Sequence, residues 1–219
     1  MSLTLFAHPF SSYCQKALIA LYENGTAFDY RLLSADDPGA FAELTALWPL
    51  RKFPVLVDDG RAIVEATIII EHLALDHPGR FRPVPEDARA ALPVRMLDRF
   101  FDNYVMTPMQ KIVGDFIRRP EARDAQGVAE AHATLDAAYR WIEGVLAGRQ
   151  WAAGDIFSLA DCAAAPALFY ADWVHEIGAE FPNLRAYRSR LLARPSFARC
   201  VEEARPYRPL FPPGAPDRD

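Results

Sequence analysis

The spacing of hydrophobic positions changes near residue 77, and this change divides the chain into two parts. In the first part, short apolar or alternating runs predict β-strands at 3–7, 28–33, 54–57 and 61–64. Between these runs, apolar residues recur at helical spacing and predict helices at 12–24, 36–47 and 65–76. The first part is therefore expected to form a sheet with helices packed against it.

The order of these elements predicts how the strands pair. A strand, a helix and a second strand in succession indicate a parallel pair joined by a right-handed crossover. Asp59 and Gly60 lie between the last two runs and are typical of a tight hairpin turn, which indicates an antiparallel pair. A mixed four-stranded sheet satisfies both requirements.

The second part of the chain predicts helices alone. It follows a segment at 77–87 with three prolines in eleven positions, which is typical of a linker. Apolar spacing predicts helices at 97–116, at 128–146, from Ser158, at 185–193 and at 197–204. Pro108 is expected to kink the first of them. We therefore expect two domains, an α/β domain at 1–80 and an all-helical domain at 81–219.

The composition is that of an ordinary globular protein, and it excludes several classes of function. Of the 219 residues, 51% are apolar and 24% are charged. The formal net charge of −5 leaves no basic surface for a nucleic acid or an acidic membrane. No apolar run reaches the roughly 18–20 residues that cross a bilayer. Neither a nucleic acid nor a membrane is expected as a partner.

The three cysteines indicate neither a disulfide framework nor a zinc site. Cys14, Cys162 and Cys200 are an odd number at wide spacing. The first residues lack a basic segment and are typical of a strand rather than of a signal peptide. A reducing, cytoplasmic setting without a metal cofactor is the expectation.

The first candidate site is residues 10–16, Phe-Ser-Ser-Tyr-Cys-Gln-Lys, where a predicted strand gives way to a helix. The free N–H groups and the dipole of a helix N-terminus stabilise a thiolate or another anion. Ser11 or Ser12 could equally cap the helix, and the two roles can coexist. The segment resembles the Cys-x-Tyr-Cys active site of glutaredoxins, with Ser11 in place of the first cysteine. A serine cannot form a mixed disulfide, but its hydroxyl can donate a hydrogen bond to another molecule's thiolate.

Three further features have a structural interpretation, and for the first two a functional interpretation also stays open. Pro54 is the first residue of a predicted strand, where it cannot donate a ladder hydrogen bond. Glu65 begins a predicted helix, where the dipole favours a carboxylate. Ser158 and Asp161 have the spacing of a capping box, and we interpret this pair as a structural cap.

Together these features resemble the glutathione S-transferase family along essentially the whole chain. Residues 47–56, Leu-Trp-Pro-Leu-Arg-Lys-Phe-Pro-Val-Leu, are similar to the family's Asn-Pro-x-x-Lys-x-Pro-x-Leu segment. Residues 154–161 are similar to the capping box of its sixth helix, and 181–187 and 193–197 to the starts of its seventh and eighth helices. The resemblance is to bacterial, cytosolic-type members with a serine-type active site. It implies a thioredoxin-like N-terminal domain and an all-α C-terminal domain.

The resemblance also implies roles for individual residues. Ser11 would be the catalytic residue, a donor to the thiolate of glutathione, which is the cosubstrate. Glutathione would be bound by Lys52, Phe53, Pro54, Val55, Glu65 and Ala66. Lys52 would pair with the glycine carboxylate, and Glu65 would approach the γ-glutamyl amino group. Pro54 would be a cis-proline that presents the backbone of Val55 to the cysteinyl part.

The resemblance does not specify the electrophile that glutathione would attack in such a detoxification reaction. Its site is expected between the two domains, with a lining that helical spacing equally assigns to the core: Phe10, Tyr104, Met109 and Phe116. The resemblance also implies a homodimer, with contacts expected at 71–77 and 88–118.

Two departures from the family pattern leave alternatives open. Trp48 stands where the family has asparagine, and Ala66 stands where serine would bond the γ-glutamyl carboxylate. One lost hydrogen bond to a charged group is worth roughly 1.5–3 kcal/mol. The alternatives are a glutathione-dependent isomerase or dehalogenase, and a non-catalytic family member that binds proteins.

Overall fold

A four-stranded mixed sheet forms the centre of the N-terminal part. It is seen in a computed structural model that describes residues 2–219. The strands are β1 (Leu3–Ala7), β2 (Asp29–Leu32), β3 (Val55–Asp58) and β4 (Arg61–Val64), in the order β2-β1-β3-β4. β1 is parallel to β2 and antiparallel to β3, and β3 is antiparallel to β4. The mixed sheet predicted from the sequence is therefore confirmed.

Three helices accompany the sheet, and local signals in the sequence set their ends. They are α1 (Ser12–Asn24), α2 (Pro38–Leu47) and α3 (Ala66–Asp76). Gly25 ends α1 at a φ of 68°, a left-handed conformation that glycine adopts without a steric penalty. Asp37 caps α2, because its carboxylate accepts a hydrogen bond from the N–H of Ala40 at 3.1 Å.

The C-terminal part is helical, as the sequence predicts. Its helices are α4 (Ala88–Phe100), α5 (Thr107–Ile117), α6 (Ala125–Leu146), α7 (Leu159–Val174), α8 (Pro182–Leu192) and α9 (Pro195–Ala204). A π-helical segment, Phe101–Met106, joins α4 to α5 directly before Pro108. Sequence periodicity predicted one helix at 97–116 with a kink at Pro108, and no π-helical segment. Because Pro108 lacks an N–H, the regular ladder loses a bond at this point.

Helix α7 lies at the centre of the molecule, because every residue from Leu159 to Asp172 is buried. A capping box forms at its start, where Asp161 accepts a hydrogen bond from the N–H of Ser158 at 2.8 Å. Helix α1 packs against α7, so the two parts of the chain share one hydrophobic core. This packing fixes the start of α1, and with it Ser11, relative to the helical part.

The C-terminal segment lies mostly on the surface, but one aromatic side chain anchors it in this core. Phe211 is 6% exposed, and its ring lies 5.1 Å from that of Trp173. Across residues 2–219, no helix has the length and apolar character needed to cross a membrane.

Candidate active site

One cleft of about 450 Å³ collects most of the site residues that the sequence predicts. Its walls come from the start of α1, the segment before β3, the start of α3, and α5. The lining residues are Ser11, Tyr13, Trp48, Arg51, Lys52, Phe53, Pro54, Glu65, Ala66 and Gln110. Four stretches of the chain that are far apart in sequence therefore converge on one space.

Ser11 is the N-cap residue of α1. Its Oγ accepts a long hydrogen bond, 3.4 Å, from the N–H of Cys14, and its own N–H donates to the carbonyl of His8 at 3.0 Å. The hydroxyl hydrogen is not needed for this capping bond, because the oxygen acts there as an acceptor. Ser11 can therefore cap the helix and still donate a hydrogen bond into the cleft.

Tyr13 contributes a second hydroxyl-bearing residue to the same cleft, and sequence reasoning missed it. Burial, together with the nearby carboxylate of Asp102, raises the pKa of Tyr13 to about 12. The phenol therefore keeps its proton at neutral pH and can act only as a neutral donor or acceptor. In the sequence, one signal could have indicated that Tyr13 lines the cleft. It lies two residues after Ser11, in the first turn of a predicted helix.

Pro54 and the strand that follows it form the wall of the cleft nearest the sheet. The Phe53–Pro54 peptide bond is cis, as the resemblance implied. Val55 begins β3 directly afterwards, and its side chain is fully buried. Val55 does not line the cleft, so its predicted backbone contact with a ligand stays a prediction.

Two of the three charged residues that line the cleft have a strained backbone conformation. Arg51 and Glu65 have positive φ angles, 56° and 70°, which side chains with a Cβ rarely adopt. Glu65 is the N-cap of α3, yet its side chain makes no capping bond. Such strain costs about 1–3 kcal/mol for each residue and is concentrated at functional sites. Together with the exposed Lys52, Arg51 gives the cleft two cations and Glu65 one anion.

The four residues predicted to line an electrophile site do not line this cleft. Phe10 packs edge-on against Tyr170 and also contacts Trp173, and Met109 is 5% exposed in the core. Tyr104 and Phe116 are about half exposed on the helical part. The residue of α5 that lines the cleft is Gln110, because successive residues of a helix point in different directions.

The cysteines are buried, and each is a free thiol. Burial raises the pKa of Cys14 to about 12, although it is only three residues from Ser11. Burial also raises the pKa of Cys162 and Cys200 well above the ordinary value. Thiolate chemistry by the chain's own cysteines is therefore disfavoured at neutral pH.

A thioredoxin-like sheet domain with a cis-proline at its cleft, followed by a helical domain, defines a particular class of two-domain protein. Two family models match the chain: the glutathione S-transferase N-terminal domain at residues 5–81 and the C-terminal domain at residues 104–195. The chain belongs to the glutathione S-transferase family.

Individual relatives agree with this assignment and differ in what they are called. Glutathione S-transferase U7 of Arabidopsis thaliana is 27% identical, over 91% of this chain and 85% of the relative. A glutathione S-transferase from Methylobacillus flagellatus with glutathione bound superposes with a TM-score of 0.82 at 25% identity, covering 91% of this chain and 98% of that one. A stringent starvation protein A homologue of Haemophilus influenzae is 25% identical, over 93% of this chain and 92% of the relative.

Proposed function

We propose that the chain is a glutathione transferase that activates the thiol of glutathione for attack on an electrophilic small molecule. One observation carries the proposal: the Ser11 hydroxyl, at the N-terminus of α1, shares a cleft with the cis-proline segment and with Lys52. This arrangement combines a hydrogen-bond donor, a helix dipole and a cation around a space of tripeptide size.

Attack by glutathione requires only a modest stabilisation of its thiolate. A free thiol has a pKa near 8.5, so only a few per cent is ionised at neutral pH. Lowering that pKa by about two units requires about 2.7 kcal/mol of preferential stabilisation of the thiolate. A charge-assisted hydrogen bond from Ser11, together with the N-terminus of α1, is of the right size. Ser11 acts here as a donor and not as a nucleophile.

The charges of the cleft suit the ends of glutathione. In this proposal Lys52 pairs with the glycine carboxylate, and Arg51 is a second cation in the same cleft. Glu65 is the counter-charge for the γ-glutamyl ammonium. Ala66 has no hydroxyl, but its N–H lies in the first turn of α3, where the helix favours the γ-glutamyl carboxylate.

Two single variants test the assignment of the donor. Ser11→Ala should lower kcat by about 10²-fold, the loss typical of one preorganised donor, while glutathione still binds with nearly unchanged Kd in calorimetry. Tyr13→Phe is the matched control, because it removes the other side-chain hydroxyl group of the cleft with almost no change in volume. Loss of turnover in Tyr13→Phe but not in Ser11→Ala would assign the donor to Tyr13.

A non-catalytic, protein-binding role is the second candidate. It is favoured by Ala66, which has no hydroxyl to hold the γ-glutamyl carboxylate. Absence of glutathione binding at millimolar concentration would support this role and would exclude the enzymatic one. Among enzymatic roles, turnover that regenerates glutathione would indicate an isomerase instead of a transferase.

We also infer a homodimer formed through α3 and α4. Both helices carry exposed apolar side chains: Ile68, Leu75, Leu92 and Met96. The ion pair between Arg95 and Glu71, 2.9 Å, joins the two helices, and apolar side chains exposed on adjoining helices are typical of an interface. Sedimentation should give twice the chain mass of 24.5 kDa, and a single species of the chain mass would contradict the inference. The buried, unpaired cysteines favour the cytoplasm as the setting.

The electrophile is expected to contact side chains that remain accessible. Phe10 and Met109 are committed to packing, so Tyr104 and Phe116 stay the candidates from the sequence, and Gln110 joins them.

A further inference from the structure

A second cluster of reactive side chains lies at the far end of β3 from the cleft. Asp58 ends β3, His72 lies in the last turns of α3, and His77 follows α3 directly. Oδ2 of Asp58 is 2.9 Å from Nε2 of His72 and 2.7 Å from Nε2 of His77. One carboxylate oxygen therefore lies between two imidazole nitrogens.

The second ring nitrogen of His72, Nδ1, also has a carboxylate partner. It lies 2.9 Å from Oδ2 of Asp76, one helical turn later. A carboxylate on the far side of an imidazole fixes its orientation and leaves the opposite nitrogen to bind a metal ion, as is usual for metal-binding histidines. The His72 ring thus has the geometry of a ligand that is oriented in advance.

The separations suit a small divalent cation. Zn–N distances of about 2.0–2.1 Å place tetrahedral ligand atoms about 3.3 Å apart. The potential ligand atoms of Asp58, His72 and His77 all lie within 4.8 Å of one another, and the two shortest separations need to widen by only about 0.5 Å. Rotation of short side chains can supply that movement without a change in the backbone.

The cluster is sheltered but open to solvent. The side chains of Asp58, His72 and His77 are 14%, 10% and 14% exposed. An ion can therefore enter, and water can occupy a fourth position. Two imidazoles and one carboxylate form a donor set that suits zinc and its neighbours rather than calcium or magnesium.

We propose that Asp58, His72 and His77 bind one divalent transition-metal ion such as Zn²⁺, with Asp76 orienting His72. The site stands apart from the glutathione cleft and does not depend on the proposed function. Any protons on the two Nε2 atoms are released to solvent as the metal binds. The ion would tie the end of α3 to the hairpin that joins β3 to β4.

Titration of the metal-free, full-length chain with ZnCl₂ against a chromophoric chelator tests the proposal. One equivalent of zinc should bind. Asp76→Asn should weaken binding about 10–100-fold, as loss of an orienting carboxylate does elsewhere. His77→Gln and Asp58→Asn should weaken it further, because each removes a ligand. Asp29→Asn, at an exposed position of β2, is the matched control and should leave binding unchanged.

A site-specific measurement distinguishes this cluster from the other histidines. In ¹⁵N spectra of the imidazoles, zinc should shift Nε2 of His72 and His77 and leave His132 and His175 unchanged. The latter two form a separate pair, with their Nδ1 atoms 2.9 Å apart. The proposal is overturned if zinc does not bind stoichiometrically, if zinc shifts the second pair instead, or if His77→Gln binds zinc like the wild type. Thermal melts without metal show whether each variant is folded.

Discussion

Nζ of Lys16 lies 2.6 Å from Oδ1 of Asp98, and each side chain is only 1% exposed. The same ammonium lies 2.7 Å from Oδ2 of Asp102, and the guanidinium of Arg99 contacts both carboxylates. Two cations thus neutralise two anions. Lys16 belongs to α1, whereas its partners belong to the helical part, so this cluster fixes the two parts together.

Replacing Lys16 should be strongly destabilising. Lys16→Met keeps much of the volume but leaves two buried carboxylates with one partner, and we expect a loss of about 3–5 kcal/mol in the free energy of unfolding. Urea denaturation measures it. Lys111→Met is the control, because the Lys111–Asp124 pair is more than one-third exposed and should contribute only about 0–1 kcal/mol. Equal effects at the two lysines would contradict this account.

Asp161 should contribute more to stability than a helix cap alone. Its carboxylate accepts hydrogen bonds from the N–H groups of Ala152 and Ser158, both at 2.8 Å, and from the hydroxyl of Tyr187 at 2.6 Å. Ser158→Ala should cost about 0.5–2 kcal/mol. Asp161→Asn should cost about 1.5–3 kcal/mol or more, because an amide turns a donor toward groups that need an acceptor. Thermal denaturation of both variants would show the order, and the reverse order would refute it.

The positive φ of Glu65 predicts an inverted preference between glycine and alanine. Glu65→Gly should be more stable than Glu65→Ala by about 1–3 kcal/mol, because glycine adopts this backbone without strain. At Glu71, in the middle of α3, the alanine variant should instead be more stable than the glycine variant by about 1 kcal/mol. Chemical denaturation of the four variants gives both differences. The same order at both positions would show that the backbone at Glu65 is not strained.

The pair formed by His132 and His175 predicts a loss of stability in mild acid. Burial lowers the pKa of His132, and His175 lowers it further, whereas Asp136 opposes the shift. The pKa of His132 in the folded state lies below the unfolded value of about 6.5. The free energy of unfolding is therefore at its full value above that pH. It decreases as the pH falls below about 6.5 toward the folded pKa.

Stability curves between about pH 7.5 and pH 5.5 test this pair. His132→Gln should flatten the dependence of the free energy of unfolding on pH. His8, whose pKa burial also lowers, should leave a smaller slope of the same sign in that variant. An unchanged slope would exclude His132 as a source of the effect.

Much of the fold could be predicted from the sequence, because local signals set its elements. The Asp59–Gly60 turn predicted the β3–β4 hairpin, and apolar spacing with the prolines predicted most helices. The π-helical segment at 101–106 could not be predicted, since its apolar residues fit a continuous helix equally well. Phe10 was expected near a ligand because it adjoins Ser11, but its partners Tyr170 and Trp173 lie 160 residues or more away in sequence.

The candidate site was predictable where it depends on a local motif, and obscure where it depends on folding. Ser11, Lys52 and Glu65 each belong to a short pattern that is similar to a family segment. Gln110 reaches the same cleft only because α5 folds over it. Likewise, Asp58 and His72 are fourteen residues apart and come together only when α3 packs beside β3.

The burial of Cys14, Cys162 and Cys200 has a consequence under oxidative stress. When glutathione disulfide accumulates, exposed thiolates of many proteins exchange with it and become covalently modified. This chain presents no accessible thiolate, because all three sulfhydryls lie in the core with raised pKa values. The chain itself should therefore stay free of mixed disulfides during redox imbalance, and its cysteines should need no reductase.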